Sequence, residues 1–213
     1  MNAELTIKRQ VAARIPTRHG TFQLILFTNN FDNKEHLAFV MGDVKDKENM
    51  LLRIHSECFT GDIMGSLRCD CGEQLDAAME TIAKAGLGVI LYLRQEGRGI
   101  GLEDKLHAYN LQDQGLDTVE ANLRLGHKPD ERDYTIAALM IHDLGIKSIK
   151  LLTNNPQKIN DLNRLGVTVR RRVPVKTPAR PENLYYLQTK KQRMDHMLDL
   201  DMVIPVSTIS QNA

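Results

Sequence analysis

Gly88-Val89-Ile90-Leu91-Tyr92-Leu93-Arg94-Gln95-Glu96-Gly97-Arg98-Gly99-Ile100-Gly101 is the stretch that decides the fold. Gly88 to Leu93 is a continuous apolar run, suited to a strand buried on both faces. From Arg94 to Gly101 the chain turns polar and glycine-rich, after which Leu102, Leu106 and Tyr109 share a helical stripe that stops at Gly115. Strand, glycine-rich loop and helix in that order are the first half of a parallel βαβ unit.

Upstream, Thr21–Phe27, Leu37–Val44 and Met50–His55 are rich in aliphatic and β-branched residues, with Asn29-Asn30 and the charged Lys45–Asn49 as turns. They predict an antiparallel meander. Ser56–Gly72 breaks this pattern and holds every cysteine, and Leu75, Ala78, Met79, Ile82 and Ala83 then recur at helical spacing up to Gly86. Downstream, the pattern predicts a helix over Asp133–Leu144, a strand over Ser148–Leu152, a short helix over Gln157–Leu165 and a strand over Val167–Val173. Val173–Pro181 carries three of the seven prolines, and Asn183–Leu198 shows no apolar periodicity. The expected fold is α/β, three layers (α/β/α) around a mixed sheet, with the N-terminal meander joined to a parallel βαβ portion. Residues 1–198 are expected to form one domain and 199–213 a disordered C-terminal tail.

The chain has 213 residues, 42% of them hydrophobic and 26% charged, enough for one sizeable core. Lys plus Arg number 28 against 27 Asp plus Glu, so no global field recruits nucleic acid or an anionic membrane, and an anion site must be local. The longest mainly apolar run, Gly86–Leu93, falls far short of the ~18 residues of a membrane span. Trp is absent and aromatics are 5%, which disfavours stacking platforms for single-stranded nucleic acid. Three cysteines with no apolar leader point to a reduced, cytoplasmic setting rather than a disulfide scaffold.

Cys58, Cys69 and Cys71 form C-x10-C-x-C, a concentration of soft ligands that suits zinc, the bland alternative being three unrelated buried thiols. His55, three positions earlier, could close a four-ligand structural site; without it an open position would hold a water, whose pKa the metal lowers toward ~7. A closed site would make the chain a zinc-stapled nucleotide- or RNA-binding module. The Arg94–Gly101 loop can seat phosphate on its backbone N–H groups or be only a tight turn. Arg53, Arg94, Arg98, Arg132 and Lys158 all fall at predicted strand ends or helix starts, the edge at which α/β sheets bind ligands. Asp130 could be a helix N-cap with Asp133 completing a capping-box-like pair, and Tyr109 a half-buried core tyrosine.

Three long motifs resemble the signatures of GTP cyclohydrolase II: Arg53-Ile54-His55-Ser56-Glu57-Cys58-Phe59-Thr60-Gly61-Asp62, Ser66-Leu67-Arg68-Cys69-Asp70-Cys71-Gly72, and Arg94 through Leu102. The likeness continues through Leu111–Gly115, Asp117–Asn122 and Leu152–Pro156, and covers the chain from about Ile15 to Leu198. It implies an enzyme of riboflavin synthesis that opens the imidazole ring of GTP, releasing formate and pyrophosphate to leave 2,5-diamino-6-(5-phosphoribosylamino)pyrimidin-4(3H)-one. It also implies Zn²⁺, Mg²⁺ and a homodimer. On this resemblance Cys58, Cys69 and Cys71 hold the zinc, whose water attacks C8 of guanine, and His55 is not the fourth ligand. Asp130 matches the proton acceptor, Arg132 a nucleophile toward the α-phosphate and Tyr109 a tyrosine needed for ring opening. Arg53, Ile54, His55, Ser56, Glu57, Gln74, Glu96, Gly97, Arg98, Thr118, Thr153 and Lys158 match GTP-contacting positions.

Physical chemistry grades these roles. Arg53, Arg98 and Lys158 suit phosphates, and Gln74 and Glu96 suit a guanine edge. A guanidinium is a poor nucleophile unless Asp130 strips its proton, and Arg132 could instead stabilise phosphate charge. Mg²⁺ would bind chiefly through the triphosphate. The departures are small: His127 follows Gly126 where the family has a large apolar residue, and Lys45-Asp46-Lys47 fills a loop that commonly contains glycine. Many relatives are fused to a second enzyme that makes the four-carbon riboflavin precursor; 213 residues leave no room for it, so a monofunctional chain is expected. Some members of the superfamily retain the formyl group, and Tyr109 argues here for full turnover.

Overall fold

The computed structural model describes residues 4–200, so most of the expected tail, from residue 201 on, lies outside the described residues. Seven strands, β1 (Ile7–Thr17), β2 (Gly20–Asn29), β3 (His36–Met41), β4 (Met50–Ser56), β5 (Gly88–Leu93), β6 (Ile149–Leu152) and β7 (Val169–Val173), form one sheet in the order β1-β2-β3-β5-β4-β6-β7. β1, β2, β3 and β5 pair antiparallel, whereas β4 runs parallel to β5 and to β6, and β6 parallel to β7. The mixed sheet is as expected. The meander is not quite: Met50–His55 does not pair with β3 but sits between β5 and β6. Its residues Leu52 to His55 are buried in succession, as a central strand's are, and alternation alone does not reveal which neighbour it chooses.

Helices cover both faces. α5 (Thr135–Asp143) and α6 (Pro156–Arg164) pack with Val89, Leu91, Leu93, Leu52 and Ile54 on one side of the sheet. α2 (Cys71–Ala85) packs Ala78 and Ile82 with Ile90, Phe22 and Leu152 on the other. Successive β5 residues thus feed opposite cores, which explains its unbroken apolar run. Trimming fully buried Ile82 to alanine would cost about 2–5 kcal/mol.

The remaining elements are short α1 (Phe59–Asp62), a 3-10 turn at Glu96–Gly99, α3 (Gly101–Asp113), α4 (Thr118–Arg124) and α7 (Pro181–Arg193). α4 begins in a capping box, with Asp117 accepting the N–H groups of Val119 and Glu120 and Glu120 accepting that of Asp117. One expectation fails locally: Leu102 and Leu106 are exposed rather than part of a buried stripe. The segment without apolar periodicity, for which the sequence predicts no element, forms α7. No helix among the described residues is long and apolar enough to cross a membrane.

Candidate functional site

β4, β5 and β6 run parallel, so their carboxyl ends open at one edge of the sheet, and the segments that leave them wall a single cleft. The thiol loop follows β4, the glycine-rich loop follows β5, and Thr153-Asn154-Asn155 with α6 follows β6.

At the first wall the Sγ atoms of Cys58, Cys69 and Cys71 lie within 4.8 Å of one another, with Cys58 and Cys69 3.7 Å apart. Ligands around a tetrahedral ion with Zn–S bonds of ~2.3 Å lie ~3.8 Å apart, so the cluster fits zinc. Backbone geometry keeps the cradle clear. A Cβ on Gly61 would sit 2.9 Å from Cys69 Sγ and 3.1 Å from Cys58 Sγ, and one on Gly72 would sit 2.2 Å from the carbonyl oxygen of Gly61. Hydrogen bonds from Cys69 and Cys71, with the Lys105 ammonium 3.1 Å from Cys58 Sγ, hold the Cys58 thiol far below its ordinary range. Cys69 is pushed up in turn to about 11 by its hydrogen bond to Cys58.

His55 is not part of this cluster. Its Nε2–H donates to Asp62 at 3.0 Å, and the Asp62 carboxylate also accepts from Tyr92 Oη at 2.9 Å and from the Cys58 N–H at 3.0 Å. The closed four-ligand site is therefore not formed. His55 Nδ1 is buried without a partner, and burial lowers the imidazole pKa despite Asp62.

The glycine-rich loop is no ordinary turn. Gly97, Arg98 and Gly99 hold φ of 63°, 65° and 101°, left-handed in succession, and a Cβ on Gly99 would meet the Glu131 carbonyl at 2.9 Å. Glu96, read as a guanine contact, has both oxygens engaged: Oε1 with Lys105 Nζ and the Gly97 N–H, each at 2.7 Å, and Oε2 with the Phe59 N–H at 2.6 Å. It fastens the thiol loop to α3. Gln74 is similarly held, accepting from Arg53 Nη2 and donating to Asp70, both at 2.5 Å.

Asp130 is not an N-cap, because α5 begins five residues later and it is Asp133 that accepts the Thr135 N–H. Asp130 instead receives Arg132 Nε at 2.8 Å and the Arg132 N–H at 3.1 Å. Burial works against charge on both. For Asp130 the hydrogen bonds and charge of Arg132 prevail and hold the carboxyl below its usual value. For Arg132 the field of Tyr134 and the contacts with Asp130 prevail and hold the guanidinium above its usual value. Lys158 Nζ, buried, donates to the Ile54 carbonyl at 2.9 Å; burial, with Arg53 and Arg132 nearby, pushes its pKa well below normal.

The cleft brings together Arg53, His55, Ser56, Glu57, Gln74, Glu96, Gly97, Arg98, Tyr109, Thr118, Arg132, Thr153, Lys158 and the three cysteines. Ile54, fully buried, and Asp130 do not line it. Arg94 turns aside to pair with Glu57 at 2.9 Å. Among the described residues, the buried side-chain nitrogens without a partner include Arg53 Nε, Arg98 Nη2, His55 Nδ1 and His196 Nε2, all of residues that line this cleft. Unpaired polar nitrogens converging from separate elements, the Arg53 and Arg98 guanidinium donors among them, mark a site built for a bound polar ligand.

Sequence reasoning missed Lys105, Tyr186, Lys190 and His196. Lys105 stands four residues before Tyr109, the spacing that puts both on one helix face, so a signal existed. For the other three none did, because α7 carries little apolar pattern and His196 lies in the turn beyond it.

Comparison with known proteins gives a family match, described as GTP cyclohydrolase II, over residues 8–174. The Riboflavin biosynthesis protein RibBA of Bacillus subtilis (strain 168) is 54% identical over 198 residues, 92% of this chain and 50% of that protein. Its namesake in Salinispora arenicola (strain CNS-205) is 52% identical over 202 residues, 94% of this chain and 48% of that one. The chain spans about half the length of the curated relatives it matches. Among solved structures, RibBX, a two-domain 3,4-dihydroxy-2-butanone 4-phosphate synthase from A. baumannii, aligns at 22% identity with a TM-score of 0.48, over 81% of this chain and 41% of that one. On the extent of the family match and the identity to both relatives, this chain belongs to the GTP cyclohydrolase II family.

Proposed function

We propose that this chain opens the imidazole ring of GTP by hydrolysis and releases formate and pyrophosphate, a step of riboflavin biosynthesis, in keeping with its family and with relatives named as riboflavin biosynthesis proteins. One observation carries the reading: a three-thiol cluster and the basic side chains of Arg53, Arg98, Arg132 and Lys158 face one cleft, with buried guanidinium donors of Arg53 and Arg98 left unpaired. Such a cleft suits a ligand with a polyanionic end and a carbon to be hydrated.

A zinc ion held by Cys58, Cys69 and Cys71 would supply a bound water ionised near neutral pH. Lys105, beside Cys58 Sγ, offsets thiolate charge and keeps the loop closed through Glu96. Tyr109 packs against Lys105 and Arg68; burial raises its pKa, so its phenol stays protonated and can donate to a leaving nitrogen. Arg53 and Lys158 would take phosphate oxygens, and Mg²⁺ would enter bound to the triphosphate.

Arg132 fits charge stabilisation better than nucleophilic attack, since its partner Asp130 raises rather than lowers its pKa. Asp130, ionised and pinned, is a weak base at neutral pH; its service is to aim the guanidinium. Gln74 and Glu96 act by positioning Arg53 and the thiol loop. A cytoplasmic homodimer is proposed with this reading.

The test is to incubate zinc-loaded protein with GTP and Mg²⁺ and quantify formate, pyrophosphate and the pyrimidine. Equimolar formate and pyrophosphate support the full reaction. A product that keeps the formyl group reduces it to the partial one, and no product from folded, metal-loaded protein overturns the reading.

A further inference from the structure

The family match ends at residue 174, yet the cleft does not. Beyond it, α7 and the turn that follows lie across the cleft and contribute Tyr186, Lys190 and His196 to its lining. Besides buried Leu187, charged pairs and hydrogen bonds dock this strap. Lys190 Nζ donates to fully buried Asp70, between two of the cysteines, at 2.8 Å, and Arg193 pairs with Asp117 at 2.5 Å. Arg180 pairs with Glu73 on α2. After α7, Asp195 adopts φ 53°, a left-handed turn that returns the His196 N–H to the Lys190 carbonyl at 3.1 Å and lets the Met197 N–H reach the Asn154 carbonyl at 2.9 Å. Asn154 itself lines the cleft, so the strap is tied down at its rim.

His196 is thereby carried inward. Its Nε2 is buried and has no partner; the same holds for Asn183 Nδ2 on α7, but of the two residues it is His196 that lines the cleft. Its charged surroundings come from four elements: Lys190 on α7, Arg132 before α5, Arg98 in the glycine-rich loop and Lys158 on α6. A buried, unpaired ring nitrogen in a ring of cations is a poor arrangement for an empty site and a good one for an anion.

We propose that His196 is a phosphate-contacting residue of the nucleotide site, its ring donating through Nε2 to an oxygen of a bound polyphosphate, and that the strap 181–198 completes that site. The inference rests on the reading of the cleft as a GTP site. Burial and the four cations push the free imidazole down to about 3, so it is neutral until an anion arrives. A triphosphate reverses the sign of the local field, and the ring takes up a proton from solvent to become a donor on both nitrogens. Nothing need be oxidised or cleaved.

The experiment compares binding of a non-hydrolysable GTP analogue and of GMP, by calorimetry, to the wild-type holoprotein and to H196A, H196Q and K191A. Lys191 is exposed on the same helix and serves as the control. The expected result is that H196A weakens the triphosphate about 10- to 100-fold, the range of one charge-assisted hydrogen bond, leaves GMP within about twofold, and that H196Q recovers part of the loss. Equal weakening of both ligands would reduce the strap to a structural part and overturn the proposal, as would unchanged binding of both. A wild type that prefers ATP, yet loses it on H196A, would overturn the guanine reading while leaving the phosphate contact standing. Wild type that binds no nucleoside polyphosphate overturns both.

Discussion

Arg98 holds φ 65°, a conformation that costs a side-chain-bearing residue about 1–2 kcal/mol and that glycine adopts freely. The cost is retained where its guanidinium stands over the Tyr186 ring with Nη2 unpaired in the cleft. Stability and function should therefore separate: R98G is expected to hold or raise the melting temperature while weakening nucleotide binding about 10- to 100-fold, measured by calorimetry and by thermal unfolding. The neighbouring pair makes a second case. Asp130's folded pKa lies below its ordinary 3.8, so its pairing with Arg132 is fully present above that value and lost only as pH falls through the lower, folded one. Between pH 5 and 8 no limb of the rate profile should come from Asp130. D130N, which leaves Arg132 misaimed, should lower kcat by about 10²–10³ at every pH in that range; an acid limb that vanishes in D130N would instead make Asp130 a proton acceptor. The spacing of these residues was readable from the sequence, but their pairing was not, since Asp-x-Arg at a helix start is also how an N-cap looks.

The thiol loop shows what an element demands of its neighbours. α2 begins at Cys71 and packs Gly72 against the Gly61 carbonyl so closely that no Cβ fits. G72A must push α2 away from α1 and open the thiol cluster, whereas at Gly65 a Cβ would meet nothing and only φ 64° resists it. Zinc content by metal analysis should fall well below one per chain in G72A and stay near wild type in G65A, with a melting temperature lowered by a few degrees in the latter. At this scale the sequence was legible wherever one physical signal dominated. β5 announced itself by burial on both faces, and α2 by its stripe up to left-handed Gly86. β1 did not, because nearly all its residues are exposed and burial imposes no alternation on it. α7 stayed hidden because only Leu187 of its aliphatic residues is fully buried; Pro181 at its first turn was the one local cue. β4 was found but misplaced, as partner choice is a long-range property.

Across the whole molecule, stability and chemistry are housed apart. The two apolar clusters lie on opposite faces of the sheet and contain none of the three cysteines, while the cleft lies beyond the strand ends. The thiol loop and α3, joined through Arg68 on Asp113 and Tyr109, carry exposed Phe59, Ile63, Met64, Leu67, Leu102 and Leu106. Exposed apolar side chains on two linked elements suit the second copy of the proposed homodimer, and on that proposal L106D is expected to shift the sedimenting species from dimer to monomer without loss of melting temperature. Metal removal probes the same division from the other side. In a small metal-dependent fold the ion's binding energy is the folding energy, and chelation unfolds the chain. Here the sheet has its own cores, so chelation is expected to leave far-UV circular dichroism nearly intact. Faster amide exchange should be confined to residues 56–72 and to α3, which hangs from the loop through Lys105, Cys58 and Glu96. The neighbouring strands β4 and β5, hydrogen-bonded on both sides, should keep their protection. Exchange that rises uniformly, with the ellipticity lost in one transition, would instead mean that the thiol cluster holds the fold rather than furnishing its site.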